Sequence, residues 1–128
     1  MDSLQVTDSQ SAAVAVAPRV TLKDIEESIA AKFFVRGHEA LYASGKDVVR
    51  DDVYDRAAGT LSVLTICLVV LKNGFTVIGK SAPASEANYN RDLGEKFAYE
   101  DAVRQIWPLA GYALRDRLMA AVEESHYV

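Results

Sequence analysis

Residues 61–80, LSVLTICLVVLKNGFTVIGK, decide the fold. Leu61–Leu71 is dense in Leu, Val, Ile and Thr, the composition of a strand buried on both faces or nearly so. At eleven residues the run is far short of the roughly 20 that a membrane helix needs. Asn73-Gly74 follows, a pair whose tolerance of positive φ makes it the strongest short signal for a two-residue hairpin turn. Phe75, Val77 and Gly79 then alternate with Thr76, Ile78 and Lys80, so a return strand over about 75–80 is expected. An isolated hairpin is marginal in water, so this one must pack against helices or against a partner's sheet. Cys67 sits among Ile66 and Leu68 and reads as a small buried hydrophobe.

Working upstream, Thr21-Leu22-Lys23-Asp24 has the form of a helix-capping box, with Pro18 closing what precedes it. Leu22, Ile25, Ile29 and Phe33 recur at three- and four-residue steps, which predicts an amphipathic helix of about fourteen residues ending near Gly37. Residues 37–59 are the least legible part and are expected to form an irregular, mobile connection, with room for a short helical turn around His38–Ala43. Residues 1–19, small and polar, are expected to be a disordered tail.

Downstream, Ser85 is a plausible cap for a long helix reaching about Trp107, with Gly94 an internal cost of about 1 kcal/mol relative to Ala. Pro108 suits the first turn of a further, shorter helix over 109–122, and residues 123–128 form a second tail. The expectation is one α+β domain over 20–122, in the order helix, irregular segment, β-hairpin, long helix, short C-terminal helix. A sheet of two strands wants more cover than these helices supply. Self-association is therefore expected, through the hairpins or the 86–107 helices.

Composition bounds the chemistry. The 128 residues carry 14 Lys+Arg against 18 Asp+Glu, a net charge of −4 that disfavours a general nucleic-acid surface. One cysteine and two histidines build neither a disulfide framework nor a cysteine-based zinc site, so no metal and no cofactor are expected. His38 and Glu39 with Asp51, Asp52 and Asp55 have no fixed spacing that would make them an acid/base site. No serine lies in a strained nucleophile turn, and no catalytic residue is assigned.

Two clusters remain as candidate ligand- or partner-binding residues. On the helix 86–107, Ala98, Ala102 and Ile106 form one apolar stripe and Leu93, Phe97, Val103 and Trp107 a second. Lys96, Glu100 and Arg104, spaced by four, form either a solvated ion ladder or a polar insertion beside Trp107 that lines a groove. Lys80, Ser81 and Ser85 lead into a helix start whose free N–H groups suit a phosphate or carboxylate, although capping by Ser85 explains them more simply.

The stretch from Leu64 to Leu118, LTICLVVLKNGFTVIGKSAPAS and then NRDLGEKFAYEDAVRQIWPLAGYALRDRL, resembles the gene-forty-nine/gene-sixty-six family of small tailed-phage proteins. The opening RVTLKDIEESI is similar to that family's first helix. The likeness covers about 19–36 and 61–118, with small departures at Pro83, Ala87 and Tyr89. It implies a phage gene product acting in the cytoplasm of an infected bacterium, and it brings no agreed activity. Two functions follow as expectations: a non-enzymatic accessory protein that binds a host protein, or a binder of a small anionic ligand such as a nucleotide signal, using Lys80, Ser81, Lys96 and Arg104 across a subunit interface.

Overall fold

The computed structural model describes residues 2–45 and 51–127, apart from the side chains of residues 51, 52 and 127. The capping box forms as its sequence dictates: the Asp24 N–H donates to the Thr21 hydroxyl at 3.0 Å and the Thr21 N–H donates to the Asp24 carboxylate at 2.9 Å. Yet the helix it starts, α2 (Leu22–Ser28), is seven residues long rather than fourteen. The Ser28 hydroxyl donates to the Ile25 carbonyl, and the Ser28 carbonyl accepts from the Lys72 N–H of the hairpin, so the last turn is tied off. Ile29, Phe33, Phe34 and Val35, β-branched or aromatic, then continue as strand β1 (Ile29–Arg36).

The hairpin stands where expected, as β2 (Thr65–Leu71) and β3 (Thr76–Ser81), with Gly74 at φ 88° in its turn. With β1 it makes a three-stranded antiparallel sheet in the order β1-β2-β3. The register fixes the two faces. Phe34 pairs with Cys67 and Cys67 with Gly79 on one face; Phe33 pairs with Leu68 and Leu68 with Ile78 on the other.

The first face is covered by α5 (Arg91–Tyr127), whose Ala98, Ala102, Val103 and Ile106 are buried against Cys67, Val69 and Val77. Contact is closest at Gly79, where any side chain would strike the helix backbone. Gly94 is likewise a close approach, set against the Thr65 hydroxyl, so the loss of helix propensity there accompanies a packing role. Asn90, not Ser85, caps this helix, accepting from the Leu93 N–H at 3.0 Å; residues Glu86–Asn88 form only a 3₁₀ turn. The break expected at Pro108 does not occur. The helix runs on through it, anchored just ahead of the proline by buried Ile106 and by Trp107, whose indole N–H donates to the Val20 carbonyl at 3.3 Å.

Two segments read as unstructured are helical. Residues Ser3–Val14 form α1, capped by Asp2 and docked by the buried Leu4, in place of the expected tail. Gly37–Ser44 form α3 and Asp51–Leu61 form α4, in place of the irregular connection; Tyr42 stacks on Tyr54 between them at 6.0 Å. The 123–127 part of the expected C-terminal tail belongs to α5.

Candidate functional site

The structure sorts the seven candidate residues into separate places. Glu100, Arg104 and Trp107 lie on the side of α5 that meets the N-terminal part of the chain. Glu100 is 5% exposed; it accepts from the Ser3 hydroxyl at 2.9 Å and lies 3.5 Å from the Arg104 guanidinium, which also donates to the Ser3 oxygen at 3.0 Å. Of the two readings of this ladder, neither a solvated row nor a polar groove describes it. It is a three-group clasp that holds α1 to α5. Ser3 was missed because residues 1–19 carry no periodic apolar pattern long enough to announce a docked helix. Trp107 closes against Val20 and is only partly buried. Lys96 is exposed on the same helix.

Lys80, Ser81 and Ser85 are elsewhere. The Lys80 backbone N–H donates to the Asp101 carboxylate at 2.9 Å, and Gln105, one turn further along α5, donates to the Ile78 carbonyl at 2.8 Å. These two side chains occupy two of the outer backbone groups of β3, the Lys80 N–H and the Ile78 carbonyl. The Lys80 side chain, next in sequence to the inward Gly79, belongs to the opposite face of the sheet from α5. Ser85 has no capping hydrogen bond from its side chain. The anion set of Lys80, Ser81, Lys96 and Arg104 is therefore not gathered into one site within a single chain. The second apolar stripe of α5 also divides, since Val103 is buried whereas Leu93 and Phe97 are half exposed.

The sheet face turned away from α5 is the larger feature. Its central cross-strand row is Phe33–Leu68–Ile78, with Ala31–Val70–Thr76 and Val35–Ile66–Lys80 on either side. Phe33 is 61%, Leu68 39% and Ile78 58% exposed. Seven of these nine positions are apolar, and Lys80 is the one charged residue among them. The sequence signal for it was the unbroken apolar run of β2, which reads as two buried faces although the fold supplies cover for one.

Two concavities lie on the α5 side of the sheet. A groove of about 620 Å³ runs between α2, the hairpin turn and α5, lined by Val20, Asp24, Leu71, Leu109 and Leu114 among others. A smaller cavity of about 100 Å³ lies at the start of α5, lined by Arg36, Thr65, Tyr89 and Arg91 together with Glu39 and Glu95. The Arg36 guanidinium stacks over the Tyr89 ring at 4.2 Å and donates to the Ser62 carbonyl, and Arg91 lies 3.8 Å from Glu95. Two carboxylates thus balance two guanidinium groups, which gives the cavity no net attraction for an anion.

Nearby titrating groups are set by their partners. The Arg19 guanidinium, hydrogen-bonded at 2.8 Å, and the Leu22 N–H hold the Asp8 carboxyl below its ordinary value. Burial pushes the Cys67 thiol and the Tyr99 phenol up. His38 packs edge-on to Tyr42 at 5.7 Å, while the side chains of Asp51 and Asp52 lie outside the described residues. Among the described residues, no three His, Cys, Asp or Glu side chains are grouped to hold a metal, and no helix is long and apolar enough to cross a membrane.

The family described as "Phage protein (N4 Gp49/phage Sf6 gene 66) family" matches residues 20–118. The chain belongs to that family. The match takes in α3 and α4 as well as the two stretches whose motifs carried the resemblance, so the middle segment is part of this phage family's unit. The matched span starts beside α2 and includes the whole sheet; α1 and the last turns of α5 lie outside it. No curated protein and no solved structure matches the chain.

Proposed function

We propose that this phage protein acts by binding another protein rather than by catalysis, in the cytoplasm of the infected bacterium, and that a host protein docks on the open sheet face. The observation that supports this reading is the Phe33–Leu68–Ile78 row, three large apolar side chains left in water side by side. Scattered exposed apolar residues are ordinary, but a contiguous patch on a sheet is the mark of an interaction surface. Asp101 and Gln105 already occupy two outer backbone groups of β3, which favours a partner that approaches this face flat on over one that adds a strand at that edge. Lys80 at one corner favours a partner whose apolar surface is bordered by a carboxylate.

The test is co-purification from infected cells with the wild-type chain and with Phe33→Ser/Ile78→Ser, circular dichroism first establishing that the variant is folded. A stoichiometric host protein held by the wild type and lost from the variant supports the proposal. A wild type that retains no such partner, or a variant that retains it equally, removes it. The anionic-ligand reading, whose residues are dispersed, makes the opposite demand: nucleotides at millimolar concentration would have to raise the melting temperature.

A further inference from the structure

Helix α5 is 37 residues long, about 55 Å, and its buried positions stop at Ile106. Beyond that point Leu114, Leu118, Ala121 and Val122 form a stripe about 100° wide, with Leu118 37% and Val122 51% exposed. A helical extension of this length with its apolar stripe in water is marginal by itself.

We propose that the distal half of α5 pairs with the same segment of a second copy of this chain, antiparallel about a two-fold axis near residues 119–120. The charges flanking the stripe choose the partner and the direction. Arg117 and Glu124 lie one heptad apart on the same flank. Packing Leu118 against the partner's Ala121, and Leu114 against the partner's Ser125, brings Arg117 opposite the partner's Glu124. The two-fold repeats the contact with Glu124 opposite the partner's Arg117, as a self-complementary interface requires. A parallel pair would instead set Arg117 beside the partner's Val122, so that neither Arg117 nor Glu124 meets an opposite charge. In the antiparallel register the end of the partner's helix also reaches the 620 Å³ groove, which meets the stripe at Leu114. The Ala98–Ala102 stripe of the 86–107 segment is not free for such a contact, because both residues are already against Gly79.

This interface is separate from the open sheet face, and the two are tested by different variants. Sedimentation of the full chain is expected to show a species of twice 14.0 kDa. Because Arg117 also lines the α2 groove, Glu124→Arg is the first variant. It is expected to raise the dissociation constant at least about tenfold, and Arg117→Glu/Glu124→Arg to restore the wild-type value. Leu118→Lys is a second probe at a partly exposed position and is expected to give a monomer. Phe33→Ser/Ile78→Ser leaves the dimer intact. A wild-type chain of 14.0 kDa at every concentration, a dimer indifferent to Glu124→Arg, or a double swap that fails to restore association overturns the proposal.

Discussion

Gly79 and Ala98 are so close that a Cβ on Gly79 would come within 2.0 Å of the Ala98 carbonyl oxygen, and within 2.6 Å of the Ala102 nitrogen. Both obstacles are backbone, so neither can rotate away. Adding a methyl must move the whole of α5 off the sheet and loosen Val77, Cys67 and Ile106 beneath it. Gly79→Ala is therefore expected to destabilise the fold by at least about 2 kcal/mol in urea unfolding, more than an ordinary overpacked core position. A loss under about 0.5 kcal/mol, as a surface change would give, would sink this account of the contact.

The contact also shows what was legible in the sequence. Asn73-Gly74 announces the hairpin because turn chemistry is local, and the small residues Ala98 and Ala102 announce a close approach. What they approach is settled only in three dimensions. Ile29 and Phe33 satisfy a helical spacing equally well, and the preference passes to a strand because β2 offers a second edge for pairing. Pro108 reads as a helix break because what holds the turn before it, the core around Ile106 and the Val20 carbonyl that accepts from Trp107, comes from distant parts of the chain. The binding candidates fared least well. Lys80, Lys96 and Arg104 carry charges that can be read, but which side of an element each one occupies depends on the register of β3 and the packing of α5.

Cys67 is fully buried, and burial raises its thiol pKa, so it stays protonated and out of reach. Native protein at pH 8 is expected to leave Cys67 unmodified by a thiol reagent over hours, and to react with one equivalent once unfolded in guanidinium. Rapid native labelling would mean that α5 opens from the sheet far more often than its packing implies.

Asp8 ties α1 to the start of α2, accepting from Arg19 and from the Leu22 N–H at 3.0 Å. These partners hold its folded pKa below the usual 3.8, so the carboxylate favours folding above that value. The contribution is lost as pH falls below it and the group takes up a proton. Melting temperature measured from pH 6 to pH 2.5 is expected to fall less steeply at the acid end for Asp8→Asn than for the wild type. The two curves should lie furthest apart near neutrality, with the variant lower. Parallel curves would show that Asp8 does not link the two helices.

The clasp of Ser3, Glu100 and Arg104 allows a sharper test, because its three groups share one buried carboxylate. With its side chain only 6% exposed, Glu100 depends on the Ser3 hydroxyl for a hydrogen bond and on Arg104 for an opposite charge in place of water. Arg104 is half in solvent, which limits what its charge adds by itself. Ser3→Ala and Arg104→Ala are each expected to cost about 1 kcal/mol, the first by removing the carboxylate's donor and the second by removing its counter-charge and the hydrogen bond to Ser3. The double variant should depart from the sum of the two by about 0.5 kcal/mol or more, because Arg104 also donates to Ser3 and the first substitution already breaks that bond. Amide exchange in residues 3–14 should rise in both single variants. Strict additivity with unchanged exchange would mean that α1 is held by Leu4 alone, and that the buried carboxylate of Glu100 answers to something other than this contact.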